Sequence, residues 1–386
     1  MDHDFGGERP WRVGIIGTGF TARSLINLIR MMPDLTVTRV LTRRPIDRVT
    51  GIASDVMLTN HIAELIEQSD VVVECSGDVV HAAEVVRDAM AAGRPVVTMN
   101  SEFHVTCGSH FVDKGYLTEA EGDQPGATAA LHRDVVGMGF TPLVYGNMKG
   151  FLSLDPSPED MEHWAKRQDF SVAMTTSFTD GTKVQVEQAL IANMYGADIV
   201  KTGLLAPEDS DFEKAALSLA HAAERHGQPI SDFVVSAGQV PGVFIVATHA
   251  DHQKMILRNL KMGDGPHYIL VRPYHLCAME IPKTLRAVRA GAPPLLNNST
   301  SPRIGVAAIA KRAIPAGHII DHGIGSFLLR GQAVRLADAP HHVPIGLIQN
   351  ATVTRAIEPG QMLLLDDVDL PDSLGRDLAL SLVSAG

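Results

Sequence analysis

A lysine stands between two acids, Asp180 and Glu187, in SFTDGTKVQVEQALIANMYGAD (177–198), a stretch that predicts a helix over 182–196 entered through an Asp-Gly turn. Lys183 falls in the first helical turn, where the helix dipole disfavours a cation by a few tenths to about 1 kcal/mol. At about 100° per residue, Lys183, Glu187, Leu190, Ile191 and Met194 share one arc, with Gln185, Gln188 and Ala192 opposite. The charges therefore stand on the apolar face, and in the order Lys then Glu, the weaker one for an i, i+4 pair. Burying each ion costs several kcal/mol of hydration, which makes poor packing but suits a face that lines a polar pocket. With Asp180 just ahead, the predicted cluster is Asp180, Lys183 and Glu187. An Asp-Lys pair passes a proton to or from a hydroxyl while a hydride moves at the adjacent carbon. The competing reading is a structural ion pair with Asp180 as a helix cap.

Hydride chemistry needs a carrier, and the first 150 residues offer a place for one. In WRVGIIGTGFTARSLINLIRMM a short apolar strand (13–16) runs into Gly17, Thr18, Gly19, Phe20 and Thr21, then a helical pattern. A glycine turn there lets the backbone approach a pyrophosphate at a helix N-terminus, with Ala22 replacing the third glycine of the fingerprint. Strands at 36–41, 71–74 and 96–99 follow in step, separated by helix-length segments, which turns a weak motif into a dinucleotide site. Beyond the second strand, where an acid would hold the ribose 2′-hydroxyl of NAD, stand Arg43 and Arg44. They suit a 2′-phosphate, so NADP is the expected cofactor; the alternative is two solvated loop arginines and NAD.

Ligands of open parallel sheets sit beyond the carboxyl ends of the strands. That places Ser76 and Gly77 (CSGD), Glu102 (MNSE) and Asp123 (EGDQPG) near the nicotinamide and substrate. Asp123 serves equally well as a cap for the helix that Pro125 begins. Lys149, at the end of FTPLVYGNMK, can polarise a carbonyl or hold an anion. Glu102, Asp123 and Asp180 are oxygen donors available to a divalent cation, but their spacing requires none. Tyr274 or His275, at the start of YHLCAMEIPKTLRAVRAG, could reach the site, although a lone histidine is more often structural.

Composition narrows the class. With 33 Lys+Arg against 44 Asp+Glu, the net charge of -11 argues against nucleic acid or an anionic membrane as partner. The expected partners are a small-molecule substrate and further copies of the chain. No apolar run reaches membrane-spanning length and the N-terminus lacks signal-peptide features, so the cytoplasm is expected. Cys75, Cys107 and Cys277 form no CxxC pair, which indicates neither a disulfide framework nor a zinc site.

The predicted fold is α/β in three parts. A doubly wound parallel sheet of Rossmann type spans 1–147 and is completed by a returning helix at 274–291. An α/β substrate domain spans 148–273, with helices at 182–196 and 211–226. After a Pro/Asn/Ser-rich linker, 302–372 repeats the pattern AIPAGHIID and AIEPGQMLLLDD, as in a duplicated β-clip. Asp366, Asp367 and Asp369 read as strand-end turn residues rather than metal ligands. This last part is expected to shape the pocket entrance or an oligomer, and a chain ending near Ser301 to keep cofactor binding.

GTGFTA, EGDQPG, SFTDGTK with its following Glu, VRPYHL and the Pro-Gly repeat resemble the homoserine dehydrogenase-like oxidoreductases that carry a C-terminal SAF domain. Members include a reductoisomerase-like enzyme acting on 1-deoxy-D-xylulose 5-phosphate and an oxidoisomerase acting on the sugar acid apionate. The resemblance implies catalytic-pocket roles for Lys149, Asp180 and Lys183, and an oxidoreduction coupled to isomerisation on a polyhydroxylated carbonyl compound, its phosphate or its acid. A simple dehydrogenase is the alternative within the enzymes, and a cofactor-binding regulator the alternative outside them. The Thr-Glu-Glu-Gly stretch that precedes a catalytic Asp in homoserine dehydrogenase is absent.

Overall fold

The structure, a computed structural model, describes residues 9–238 and 241–384. Runs rich in β-branched residues form a six-stranded sheet from β1 (Trp11–Ile16), β2 (Leu35–Leu41), β3 (Leu58–Thr59), β4 (Val71–Glu74), β5 (Val96–Thr98) and β6 (Leu117–Glu119). Its order is β3-β2-β1-β4-β5-β6 with every pairing parallel. The central strands are buried on both faces, as their unbroken apolar runs require. The covering helices are α1 (Phe20–Ile29), α2 (Ile62–Glu67), α3 (Val79–Ala91), α4 (Ser101–Cys107) and α5 (Gln124–Gly137), the last of which packs on the second sheet. α1 turns Ala22, Leu25, Ile26 and Ile29 inward, each large side chain adding about 1.5–3 kcal/mol.

The second part holds β7 (Thr141–Lys149), α6 (Pro158–Gln168), α7 (Val172–Thr179), α8 (Thr182–Tyr195), α9 (Phe212–His226), β8 (Ile230–Val235), β9 (Gly242–Thr248), α10 (Lys254–Asn259), β10 (Tyr268–Arg272) and α11 (Ile281–Arg289). Its sheet runs β10-β9-β7-β8. The run 140–147 therefore belongs to this sheet, not to the nucleotide sheet, which closes at Glu119. Its neighbours decide this: β7 pairs with β8 and β9, strands that lie some 80 to 100 residues downstream. α11 returns to pack Ile281, Leu285 and Val288 into the core around β1 and α1.

The third part comprises β11 (Ile304–Ala310), β12 (Ile319–His322), β13 (Leu329–Arg335), β14 (Gln349–Val353), β15 (Val368–Asp369) and α12 (Leu374–Ser384), with β11 paired to β13 and β12-β14-β15 forming a second antiparallel sheet. α12, beyond the expected boundary at 372, packs on α3 and α4 of the nucleotide part. Among the described residues no helix is long and apolar enough to cross a membrane.

α8 departs most from its predicted character. Gln185 and Gln188, expected opposite the buried face, are themselves buried. Gln185 accepts from Ala333 N and donates to Gly203 O, Thr182 Oγ1 accepts from Gly331 N, and Gln188 Oε1 is bonded to Ser231 Oγ. The polar face is thus the docking face for β8 and for the third part. An amphipathic pattern marks two buried faces of different polarity here, because hydrogen-bonded amides bury as readily as leucines. Truncation near Ser301 would remove Ala333 and Gly331, the donors to Gln185 and Thr182, and Lys311, which donates to Asp180. The third part shares one apolar core with the second, so a chain ending near Ser301 is now expected to fold poorly, a loss that its melting curve would show.

Candidate active site

The crevice begins at the β1–α1 turn. Gly17 has φ +106°, and a Cβ there would stand 2.9 Å from Cys75 O, so no other residue fits. At Gly19 no atom lies within 4 Å of where a Cβ would stand, and α1 starts without a side-chain cap. Open space and uncapped N–H groups at a helix N-terminus are the features that a pyrophosphate requires. The residues present therefore fit a dinucleotide. Beyond β2, Arg44 Nη2 donates to Thr18 Oγ1 (2.6 Å), and Arg43 Nη2 to Asp78 Oδ2 (2.6 Å), the cap of α3.

From this turn a cavity of about 410 Å³ runs towards α8, lined by Gly19, Phe20, Thr21, Ser76, Gly77, Glu102, Asp123, Lys183, His275 and Cys277. Phe170, Met174 and Phe178 from around α7 face it, as do His322, Gly323, Ile345 and Gln349 of the third part. Phe20 and Phe170 meet edge to face at 5.2 Å, and Phe178 lies 6.0 Å from Phe170.

Lys183 Nζ lies 3.2 Å from Glu102 Oε2 and not beside Glu187. Burial opposes its charge, but Glu102, Glu187, Asp123 and Glu119 outweigh that opposition and raise its pKa, so Lys183 stays cationic. Behind it, Glu187 Oε2 accepts from Asn147 Nδ2 (2.8 Å) and stands 4.0 Å from Lys149 Nζ. Burial raises Glu187 to about 7 against the pull of Lys149 and Lys183, and burial lowers Lys149. The two shifts agree in pushing this deep pair towards its neutral forms.

The predicted Asp180, Lys183 and Glu187 cluster does not form. Asp180 is sealed off: Lys311 Nζ, from just beyond β11, donates to its Oδ2 (2.6 Å), and Thr182 N to its Oδ1 (2.9 Å). Neither Asp180 nor Lys149 lines the cavity. The reason is geometric. Residues adjacent on a helical wheel point towards different neighbours, and α4 and β11 each bring an opposite charge closer than the helix itself does.

Asp123 caps a helix and also faces the cavity. Its Oδ1 accepts from Gly126 N as the cap of α5, and its Oδ2 accepts from the buried Ser101 Oγ (3.1 Å). Ser101 Oγ also lies 3.0 Å from Glu119 Oε1. Burial, then the charge of Asp123, pushes Glu119 well above the ordinary carboxyl range, and burial drives the neighbouring His104 down to about 3. Glu74 is buried at the end of β4, accepting from Ser76 N (2.6 Å) and Thr98 Oγ1 (3.1 Å). Sequence reasoning passed over Glu74, Glu119 and Lys311. The two acids carried a signal, as the last residues of otherwise apolar parallel strands; Lys311 carried none. Among the described residues no three His, Cys, Asp or Glu side chains are grouped to hold a metal.

Glu187 offers a pH test. The folded chain holds a proton there that the unfolded chain loses near pH 4.5, so stability should fall as pH rises from about 4.5 to about 7. The loss is at most about 3 kcal/mol at 1.36 kcal/mol per unit. Thermal melts across that range should slope for the parent and flatten for Glu187→Gln; parallel curves would refute the burial of an unscreened acid.

Residues 17–106 match the NAD-binding domain of homoserine dehydrogenase, and residues 122–281 the catalytic domain of Oxidoreductase DRL. No curated protein sequence matches the chain. Similar solved structures include UDP-N-acetylglucosamine 3-dehydrogenase from Acidithiobacillus ferrooxidans, with 13% identity and a TM-score of 0.39 over 74% of this chain and 91% of that one. Biliverdin reductase from Synechocystis, in complex with biliverdin and NADP+, has 11% identity and a TM-score of 0.38 over 74% and 92%. A nucleotide-binding domain of homoserine dehydrogenase type, joined across one crevice to an oxidoreductase catalytic domain, makes the chain an NAD(P)-dependent oxidoreductase.

Proposed function

We propose that the chain uses NADP and acts on a small polyhydroxylated carbonyl compound, its phosphate or its acid, with isomerisation coupled to hydride transfer. The observation that carries the reading is Lys183, its ammonium 3.2 Å from Glu102, on the wall of the same cavity that begins at the glycine turn. When bound, the nicotinamide supplies a hydride acceptor or donor. Lys183 would then stabilise negative charge on the substrate oxygen, which arises both in carbonyl reduction and in a shift between neighbouring carbons; a preorganised charge of this kind contributes a few kcal/mol. Glu102 holds the ammonium in place, and the rings of Phe20, Phe170 and Phe178 form an apolar flank of the same cavity.

NADPH oxidation and NADP+ reduction should each be followed over a panel of sugar acids and ketose phosphates, with products identified by NMR. A rearranged carbon skeleton supports the coupled reaction, and an unchanged one reduces it to simple dehydrogenation. The 2′-phosphate preference is supported by Arg43 and Arg44, which follow β2 in the chain where an acid would hold a ribose hydroxyl; Arg43 meets Asp78, the cap of α3, instead. Arg43→Asp combined with Arg44→Ala is expected to weaken NADPH on the order of 100-fold, through two lost charge-assisted contacts, and NADH far less. Equal losses for the two cofactors would sink the assignment.

A further inference from the structure

An alcohol cannot be oxidised by Lys183 alone, because a lysine that keeps its proton cannot accept another. The other groups around the cavity are also committed. Asp123 accepts from Gly126 N and lies against Ser101, Glu102 is paired with Lys183, and Asp180 is sealed by Lys311. Burial first, then Asp123, pushes the Cys277 thiol up to about 11. His322 lines the cavity too, but it is exposed, and among the described residues nothing fixes its ring.

His275 differs from all of these. It is half-buried on the cavity wall, and its Nδ1 lies 3.3 Å from Gly122 O. A carbonyl only accepts, so Nδ1 carries the hydrogen and, in the neutral ring, Nε2 is left with a bare lone pair. Nε2 has no partner among the described residues. The carbonyl that the ring meets is itself fixed in place. Gly122 O also accepts from Cys277 N (2.7 Å), Cys277 has φ +47°, and a Cβ on Gly122 would stand 2.2 Å from Cys277 O. A left-handed non-glycine residue clamped beside a cavity is strain of the sort that accompanies function.

We infer that His275 Nε2 is the proton acceptor for the substrate hydroxyl in this oxidoreductase. The inference rests on the proposed alcohol–carbonyl chemistry. As the C–H bond breaks, its electron pair leaves as hydride to the oxidised nicotinamide. The O–H proton passes to Nε2, the C=O bond forms, and Lys183 steadies the charge on oxygen between the two events. In reduction the imidazolium returns that proton to the carbonyl oxygen. The charged groups facing the ring are Asp123 at the start of α5, Lys149 at the end of β7 and Glu280 ahead of α11; burial, the largest influence, keeps the ring below its ordinary pKa.

The test uses the full chain. Long-range ¹H–¹⁵N spectra of the histidine rings, with the signal assigned by its loss in His275→Asn, should show Nδ1 protonated and Nε2 bare at neutral pH. With the panel compound that the parent oxidises, kcat/KM should fall on the acid side as His275 protonates. His275→Gln should lose this limb and about 10²- to 10⁴-fold in rate while binding NADPH within about two-fold of the parent, and imidazole should partly rescue His275→Ala. An Nε2-protonated tautomer, or a His275→Gln protein that keeps its rate and its acid limb, overturns the assignment. A parent that binds NADPH yet turns over no panel member defeats the proposed substrate class instead, and the tautomer spectrum then decides for or against His275.

Discussion

Lys183→Met is expected to melt close to the parent, to bind NADPH, and to turn over at least about 100-fold more slowly, the scale of removing a positioned acid or charge from the reacting oxygen. Methionine keeps the volume of the stem and removes only the ammonium. Glu102 then loses its 3.2 Å partner, but it lines the cavity and can rehydrate, so folding is spared. Glu187, the partner that helical spacing suggested, keeps both Asn147 and Lys149. Differential scanning fluorimetry, NADPH titration and single-turnover rates separate the outcomes. A protein that unfolds early yet keeps its rate per folded molecule would make Lys183 a structural residue.

Lys311→Met should behave in the opposite way. Lys311 and Asp180 are 1% and 0% exposed, and no cavity water can reach the carboxylate once its cation is gone. A broken buried pair costs about 3–5 kcal/mol, a fall in Tm of roughly 4–6 °C for a chain of this size. Adding Asp180→Asn removes the stranded charge and should recover a good part of the loss, since a neutral amide can still accept from Thr182 N. A single variant that melts with the parent would show that the third part does not latch onto α8 through this pair. Together the two lysines separate chemistry from assembly: one is wet on its working side, the other dry on all sides.

The parallel sheet and its cofactor turn were legible in the chain alone. Apolar runs of β-branched residues at regular spacing fold one way, and Gly17, Gly19 and the helix start are local signals that do not depend on distant partners. The positions of Ser76, Glu102 and Asp123 followed from the same rule, because strand ends of one sheet face one crevice. Helical periodicity likewise placed Lys183 and Glu187 on α8.

Which charge meets which was decided by tertiary structure. α8 is enclosed by α4, β8, β11 and β13, and each neighbour supplied a partner from far along the chain: Glu102 for Lys183, Ser231 for Gln188, Ala333 for Gln185 and Lys311 for Asp180. The assignment of β7 to the second sheet was settled in the same manner, by strands it could meet only after the middle segment had folded. A single sequence encodes local geometry through near-neighbour sterics, but an ion pair depends on separations of a few ångströms between segments a hundred residues apart, and only the packed molecule sets those distances.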